Sequence, residues 1–140
     1  EAIVSGSAEI YGSAWIFDNA IVRGRAKVYR HAKICQYAKV QGDVKVRGRA
    51  RVNGYATISG YAIVESSDDY IVLRNNWSSG RYFTYTRSNQ MYKVGCFYGT
   101  GDQLIEKAYK DSQLSGDCYE ASVLYVKILE QAFAHEKKKS

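Results

Sequence analysis

The sequence predicts a mainly β protein in which a short parallel β-helix of about four coils precedes a small α+β cap with two C-terminal helices. Three observations support this fold class. A six-residue pattern runs through the first half of the chain without insertion or deletion, it stops at Asp68, and strand-like segments followed by two helical ones make up the second half. A fixed short period indicates a repeat architecture, and a period of six indicates a β-helix.

The repeat comprises eleven hexads that begin at Ala2. They read AIVSGS, AEIYGS, AWIFDN, AIVRGR, AKVYRH, AKICQY, AKVQGD, VKVRGR, ARVNGY, ATISGY and AIVESS. The first position is Ala in ten hexads, the third is Val or Ile in all eleven, and the fifth is Gly in seven. Positions one and three lie two residues apart, so their side chains point to the same side of a strand and build a narrow, dry interior. The glycine permits the corner that follows each strand.

Three hexads would close one triangular coil, so that residues about 18 positions apart stack on each other. This pattern resembles the left-handed β-helix of the hexapeptide-repeat superfamily over residues 2–67, although the glycine here lies two places after the aliphatic residue. A flat sheet of hairpins would need two-residue turns at regular intervals, which the sequence lacks. We therefore expect a left-handed β-helix over residues 1–67, about 18 Å tall at ~4.8 Å per coil.

Both ends of such a helix expose backbone edges that must be covered. The second half of the chain can cover one end. At the other end the pattern is already under way at Glu1. We expect either further coils upstream in the natural chain, or a partner or second subunit that covers this end.

Residues 68–140 are predicted to form the capping module. The segments Tyr70–Arg74, Arg81–Arg87 and Met91–Tyr98 are rich in β-branched and aromatic residues and predict three strands, with turns at NNWSSG and SNQ. A module of this size is marginal as an independent folding unit. We therefore expect it to dock on the last coil.

Two helices are predicted to end the chain. Thr100 and Gln103 have the spacing of a capping box for a helix over about residues 102–111. Its buried face is predicted to consist of Leu104, Ile105, Ala108 and, at the margin, Tyr109. A longer helix would begin after an N-cap at Asp117. The apolar periodicity predicts its buried stripe as Ala121, Leu124, Tyr125, Ile128, Leu129, Ala132 and Phe133.

Positive charge is concentrated in the middle of the predicted β-helix. The chain has a net charge of +6, and the segment from Ile21 to Val52 holds ten Lys or Arg residues against one acid, Asp43. Cations that stack one coil apart repel each other, whereas an ordinary solvated surface intersperses the two signs. We therefore predict a surface that binds DNA or RNA phosphates, an anionic nucleotide or an acidic protein face. The alternative is that these cations only prevent edge-to-edge association.

Aromatic residues accompany the cations. Tyrosines in outward positions, Tyr11 and Tyr61 among them, would offer stacking surfaces of the kind that single-strand binders use. The predicted anion, nucleic-acid or partner site consists of Arg23, Arg25, Lys27, Arg30, Lys33, Lys45, Arg47, Arg49, Arg51, Tyr29, Tyr37 and Tyr55. Trp15 and Phe17 point outward from the third hexad, and together with Tyr11 they predict an oligomer or protein interface.

No catalytic residue, metal site or cofactor is predicted. His31 is the single histidine of the hexads, and no loop insertion builds a pocket in which it could act as a general base. Cys35 lies among cations that would lower the pKa of its thiol and activate it. The alternative, simpler interpretation is an ordinary outward-facing or interface cysteine. Cys96 is interpreted as a strand residue in a core. The chain contains two histidines, fewer than the three that the carbonic-anhydrase branch of the hexapeptide-repeat fold requires.

The composition favours a cytoplasmic protein. No apolar run approaches the roughly 18 residues of a membrane span, and no signal peptide opens the sequence. The three cysteines are scattered and odd in number, which fits reduced thiols better than a disulfide framework.

The second half resembles the tails of hexapeptide-repeat proteins from bacteriophages and other mobile elements. The matching segments are YIVL, YFTYTR and GCFYGT. The resemblance implies a protein of phage origin, cytoplasmic in the host bacterium, and a role against host defence would be natural there. Hexapeptide-repeat relatives are commonly trimers, and a dimer is equally compatible with this sequence.

The leading hypothesis is a non-enzymatic binding protein, similar in role to an anti-CRISPR protein. It would engage a bacterial immune protein or an anionic ligand through the basic and aromatic face. The alternatives are a sponge for an anionic nucleotide signal, an acyltransferase-like enzyme that would lose acyl-CoA binding on His31→Ala, and a structural assembly module.

Overall fold

The structure, a computed structural model, describes the fold of residues 1–139 and the side chains of residues 1–136. Eleven strands of two residues each form the first half of the chain. They are β1 Ile3–Val4, β2 Glu9–Ile10, β3 Trp15–Ile16, β4 Ile21–Val22, β5 Lys27–Val28, β6 Lys33–Ile34, β7 Lys39–Val40, β8 Lys45–Val46, β9 Arg51–Val52, β10 Thr57–Ile58 and β11 Ile63–Val64. The second half contains β12 Tyr70–Arg74, β13 Tyr82–Thr86, β14 Met91–Val94, β15 Phe97–Gly99, α1 Gly101–Asp111 and α2 Gln113–Lys139.

The first half is a parallel β-helix with three sides, as the hexads predict. Each strand pairs with the third strand after it, which gives the sheets β1-β4-β7-β10, β2-β5-β8-β11 and β3-β6-β9. All these pairs are parallel, and the register of Val22 with Val40 shows the advance of 18 residues per coil. The predicted fold class is therefore confirmed, as a solenoid of about three turns followed by an antiparallel sheet and two helices.

The first and third hexad positions form the core of the β-helix. From Ala20 to Val64 these residues are almost completely buried. In the first coil the burial is incomplete, since Val4 is exposed and Ile10 and Ile16 are half-buried. The apolar interior is thus open at the N-terminal end.

The fifth hexad position makes the corner, and in the first ten hexads it adopts a positive φ even where it is not glycine. Gly24 has φ +74°, and a Cβ added to it would lie 2.8 Å from the main-chain nitrogen of Gly42 in the next coil. Asp18 and Gln36 adopt φ +57°. Their side-chain oxygens accept hydrogen bonds from the next coil, Asp18 from the N–H of Gln36 at 3.1 Å and Gln36 from the N–H of Gly54 at 2.6 Å. These bonds offset the strain of a left-handed corner.

The cap contains one strand more than the sequence predicts. The segment expected as a single strand, 91–98, is a hairpin of β14 and β15, because Gly95 reverses the chain at φ +56°. Cys96 therefore lies exposed in this turn, and its assignment to a core strand is wrong. The strands β12 and β13 and the two predicted turns form as expected.

Helix α1 begins with the predicted capping box. The Thr100 hydroxyl accepts from the N–H of Gln103 at 3.2 Å, and the Gln103 side chain accepts from the N–H of Thr100 at 2.9 Å. Leu104 and Ala108 are buried and Ile105 is half-buried. Tyr109 is exposed instead, and its hydroxyl donates to carboxylates of α2.

Helix α2 differs from the prediction in its start and in its buried face. It begins at Gln113, four residues before the expected N-cap at Asp117. Tyr119, Val123 and Val126 are buried against the sheet. In the predicted stripe Leu129 and Phe133 are half-buried, and the others are exposed: Ala121, Leu124, Tyr125, Ile128 and Ala132. Apolar residues occur on more than one face of this helix, so periodicity alone could not identify the face that the sheet covers.

The cap docks on the last coil through side-chain hydroxyls. Each of the three sides of the β-helix ends in an N–H group that has no further coil to pair with, and a hydroxyl of the cap accepts from it. The pairs are Asn53 N–H to Tyr70 at 3.2 Å, Thr57 N–H to Thr84 at 2.9 Å, and Ile63 N–H to Ser88 at 2.8 Å. Within residues 1–139, no helix is apolar over a length that could cross a bilayer.

Candidate functional site

Four basic side chains meet where the side formed by β2-β5-β8-β11 turns into the side formed by β3-β6-β9. They are His31, Lys33, Arg49 and Arg51, and we call them the basic edge. Lys33 pairs in register with Arg51, and Arg49 follows His31 by one coil. Together with Ala50 they line an open hollow of about 310 Å³, and no acidic side chain lines it.

The cations of the basic edge form no ion pair within the described part of the chain. The ion pairs there join Arg47 to Glu65, Arg87 to Glu130, Lys107 to Asp111 and Lys110 to Glu106. None of them involves the basic edge. The ammonium of Lys33 instead lies 5.8 Å from the ring centre of Trp15 in the coil below. A bound anion would relieve the mutual repulsion of these side chains.

Arg47 has intrachain partners and does not belong to the basic edge. Its guanidinium donates to the Tyr29 hydroxyl at 3.3 Å and to Glu65 Oε1 at 2.7 Å. These bonds, first with Tyr29 and then with Glu65, raise the pKa of Arg47. The same contact with Arg47 lowers the pKa of the Glu65 carboxyl. The positive charge of Arg47 is therefore largely neutralised.

The other predicted cations are distributed over the three sides. Arg23 donates to Gln41 Oε1 at 2.6 and 3.0 Å, on the side of β4 and β7. Lys27 and Lys45 are exposed and pair in register on the side next to the basic edge. Arg25 and Arg30 are exposed at corners. The structure thus brings only part of the predicted set together.

Four of the outward tyrosines stack on other rings, which covers part of their ring faces, whereas Tyr61 is 76% exposed and stacks on no other ring among the described residues. Tyr11 and Tyr29 are parallel with centroids 5.0 Å apart. Tyr55 lies between Tyr37 at 5.2 Å and Tyr82 of the cap at 4.4 Å, so both of its faces are covered. The advance of one coil places identical hexad positions directly above each other. The sequence expectation that tyrosine faces lie open beside the cations is therefore wrong for Tyr55, and Tyr29 has one face covered.

The predicted interface residues are exposed on the first coil. Trp15 is 63% exposed and forms an edge-to-face contact with Phe17 at 6.3 Å. Tyr11 lies on the neighbouring side, in the segment that follows β2. Trp15 is close enough to Lys33 to belong to the surroundings of the basic edge.

Cys35 is buried, and its surroundings do not activate it. Cys35 follows β6, and only 7% of the residue is exposed. Burial raises the pKa of the Cys35 thiol, and Asp18 adds to the rise, against the opposite effect of Arg51 and Lys33. The hypothesis of a thiolate activated by cations is therefore not supported.

His31 lacks the partner that a general base requires. Its neighbours in the hollow are cations, and no carboxylate there could orient the imidazole. Among the described residues, no group of three or more His, Cys, Asp or Glu side chains could hold a metal ion.

A second cavity, of about 450 Å³, lies in the cap between the sheet and the two helices. It is lined by Tyr85, Tyr92, Asp102, Lys127 and Glu130, among others. Burial raises the pKa of both tyrosines. With two carboxylates against one lysine, the lining does not suit an anionic nucleotide. Sequence reasoning missed this cavity because its walls come from segments up to about 45 residues apart, and no local motif marks it.

No known family model matches the chain, and no curated protein or solved structure is significantly similar to it.

Proposed function

We propose that this protein is a non-enzymatic binding module that holds the phosphates of a nucleic acid at its basic edge. The observation that supports this proposal best is the hollow formed by His31, Lys33, Arg49 and Arg51, which no acidic side chain lines. Guanidinium groups bind phosphate oxygens in a bidentate manner, and an ammonium adds a point charge. The rigid coil fixes the main-chain positions from which the cations extend, so binding has to order only their side chains.

The proposed contact reads the backbone and not the bases. The stacked tyrosines cannot sandwich bases as the aromatic residues of a single-strand binder do. Trp15 is an exposed ring beside the basic edge, and it could accept at most one stacked base. We therefore expect binding that depends little on sequence and strongly on salt.

The biological target follows only from the resemblance of the second half to phage and mobile-element tails. On that basis the bound nucleic acid would belong to a bacterial immune system, and the protein would act as an anti-CRISPR-like inhibitor in the host cytoplasm. A free nucleotide signal offers the same phosphate chemistry, and an acidic face of an immune protein offers carboxylates. Both are outcomes that the following experiment distinguishes.

The test is fluorescence anisotropy with labelled probes of about 20 nucleotides, as single-stranded DNA, single-stranded RNA and duplex DNA. A cyclic dinucleotide and poly-glutamate serve as competitors. The site variant is Arg49→Glu/Arg51→Glu. The control variant is Lys107→Glu/Lys110→Glu, which changes the net charge equally on the exposed surface of α1.

The proposal expects wild type and control to bind the probes alike and the site variant to bind at least about tenfold more weakly. If the cyclic dinucleotide displaces the probe at a concentration similar to that of the probe, the ligand is a nucleotide signal and not a nucleic acid. Preference for poly-glutamate would indicate an acidic protein partner. Equal weakening by both variants would mean that binding follows only net charge, and it would overturn the proposed site.

A further inference from the structure

The exposed face of helix α2 carries an apolar stripe, which Asp117 interrupts between Leu114 and Ala121. Leu114, Leu124, Tyr125 and Ile128 are between 53% and 59% exposed. With Ala121 and Ala132 they occupy an arc of about 100° around the helix. The opposite face of the helix is already packed on the cap sheet, so the stripe has no partner within the described chain.

The spacing of the stripe is that of a helix–helix seam. Leu114, Ala121 and Ile128 follow each other at intervals of seven residues, and Leu124 lies three residues after Ala121; the equivalent positions in the neighbouring heptads are the polar Asp117 and Gln131. Apolar residues at such alternating intervals pack against a second helix of the same pattern. A single large apolar side chain on a surface needs no explanation, but a seam of several turns indicates an interface.

Between Leu114 and Ala132, charged side chains flank this seam on one side only, and on the other side Glu136 follows one turn later. Glu120 and Lys127 lie on the flank that faces α1, where the Tyr109 hydroxyl donates to Glu120. Neither residue forms an ion pair within the described chain. The other flank carries Cys118, Ser122 and Leu129, which have no charge.

This asymmetry determines which partner fits. In an antiparallel pair of identical helices, a given flank of one helix meets the same flank of the other helix. In a parallel pair, it meets the flank on the other side of the seam. The midpoint between Glu120 and Lys127 lies between Val123 and Leu124, close to the middle of the stripe. Only an antiparallel second copy therefore brings Glu120 to Lys127 of the partner subunit, twice per dimer, with Ala121 near the large Tyr125 of the partner subunit.

We infer that helix α2 is the interface of an antiparallel homodimer with its two-fold axis close to Leu124. The interface is isologous, because the same stripe contributes from both subunits. It is formed by the cap, whereas the basic edge belongs to the β-helix. The dimer would therefore carry two basic edges, and the residues of the stripe would cover neither of them.

The test compares the molar mass of the full chain and its variants by sedimentation equilibrium. Wild type is expected to be a dimer, and Leu124→Glu is expected to raise the dissociation constant at least about 30-fold, as for a central interface residue. Because Leu124 is exposed, the variant should keep its circular dichroism spectrum, while its melting temperature should fall towards that of the wild-type monomer and lose its dependence on protein concentration. Trp15→Glu is the control, since it places the same charge on the β-helix side and should leave the dimer intact.

Charge exchange tests the antiparallel orientation. Glu120→Lys and Lys127→Glu should each weaken self-association, because each creates like charges across the seam. An equimolar mixture of the two variants should form a heterodimer, because the opposite signs then meet at both pairs. A monomeric wild type, a dimer unaffected by Leu124→Glu, loss of the oligomer in Trp15→Glu, or a mixture that stays monomeric would each overturn the inference.

Discussion

The hydroxyl of Thr84 accepts a hydrogen bond from the main-chain N–H of Thr57 at 2.9 Å, and through it the cap continues the backbone ladder of the β-helix. Tyr70 and Ser88 do the same on the other two sides. A β-helix that ended without such acceptors would leave an open edge. The cap therefore ends the β-helix by supplying hydrogen-bond acceptors to its last coil.

Thr84→Val should lower the free energy of unfolding by about 1–3 kcal/mol, because the valine keeps the shape of Thr84 but leaves the N–H of Thr57 without an acceptor. Thr84 is 1% exposed, so water cannot easily replace the hydroxyl. Urea denaturation measures the change. Ser88→Ala serves as the control: it removes an equivalent bond at an exposed site, where water can take its place, and should cost less than about 1 kcal/mol. Equal losses in both variants would contradict this account.

Gly24→Ala should destabilise the β-helix more than Gly54→Ala. Both positions have positive φ, so each alanine costs roughly 1–2 kcal/mol in backbone strain. At Gly24 the new Cβ would also lie 2.8 Å from the nitrogen of Gly42, whereas at Gly54 the nearest atom is 3.9 Å away. The additional clash should cost about 1–3 kcal/mol more. Thermal denaturation of the two variants measures the difference, and a larger effect at Gly54 would show that the coils are not packed as described.

The pair of Arg47 and Glu65 should make the stability dependent on pH on the acid side. The pKa of Glu65 is lowered from its ordinary value of 4.5 by the hydrogen bond from Arg47. Its contribution is therefore fully present above pH 4.5 and is lost as the pH falls through the lowered pKa. Unfolding free energies of wild type and Glu65→Gln should differ at neutral pH and converge in acid. In an Arg47→Gln background this pH-dependent difference should disappear; if it persists, another group is responsible.

The cysteines should differ in their reaction with a thiol reagent such as Ellman's reagent. Cys96 is exposed in the hairpin turn and should react quickly in the native protein. Cys35 should react at least about tenfold more slowly, because it is buried and the pKa of its thiol is raised. Cys96→Ser should remove the fast phase, and Cys35→Ser should leave it unchanged. A fast phase that depends on Cys35 would restore the activated thiolate that the structure argues against.

The β-helix could be predicted from the sequence because its local and long-range patterns are the same. Each hexad specifies its own strand and corner, and stacking adds only the rule that position i lies under position i+18. Even the corners without glycine follow this rule, since Asp18 and Gln36 take the glycine conformation and bond to the next coil.

The cap and the details of the site could not be predicted in the same way. The face of α2 that is buried depends on where Tyr119 packs against Phe83 and Trp77 of the cap, and helical periodicity does not contain that information. The concentration of cations was visible in the sequence. The sequence does not show that Arg47 is bonded to Tyr29 and Glu65 while the basic edge has no such partners, because this depends on where Tyr29 and Glu65 lie in the fold.

The salt dependence of duplex binding tests the basic edge most directly. The logarithm of the binding constant should fall linearly with the logarithm of the salt concentration, with a slope that counts the phosphates neutralised. For Arg49→Gln/Arg51→Gln the slope should be smaller than that of wild type by about 2, one unit for each lost contact. For Lys107→Gln/Lys110→Gln it should not change. A slope that stays at the wild-type value when Arg49 and Arg51 are neutralised would show that the basic edge does not hold the nucleic acid.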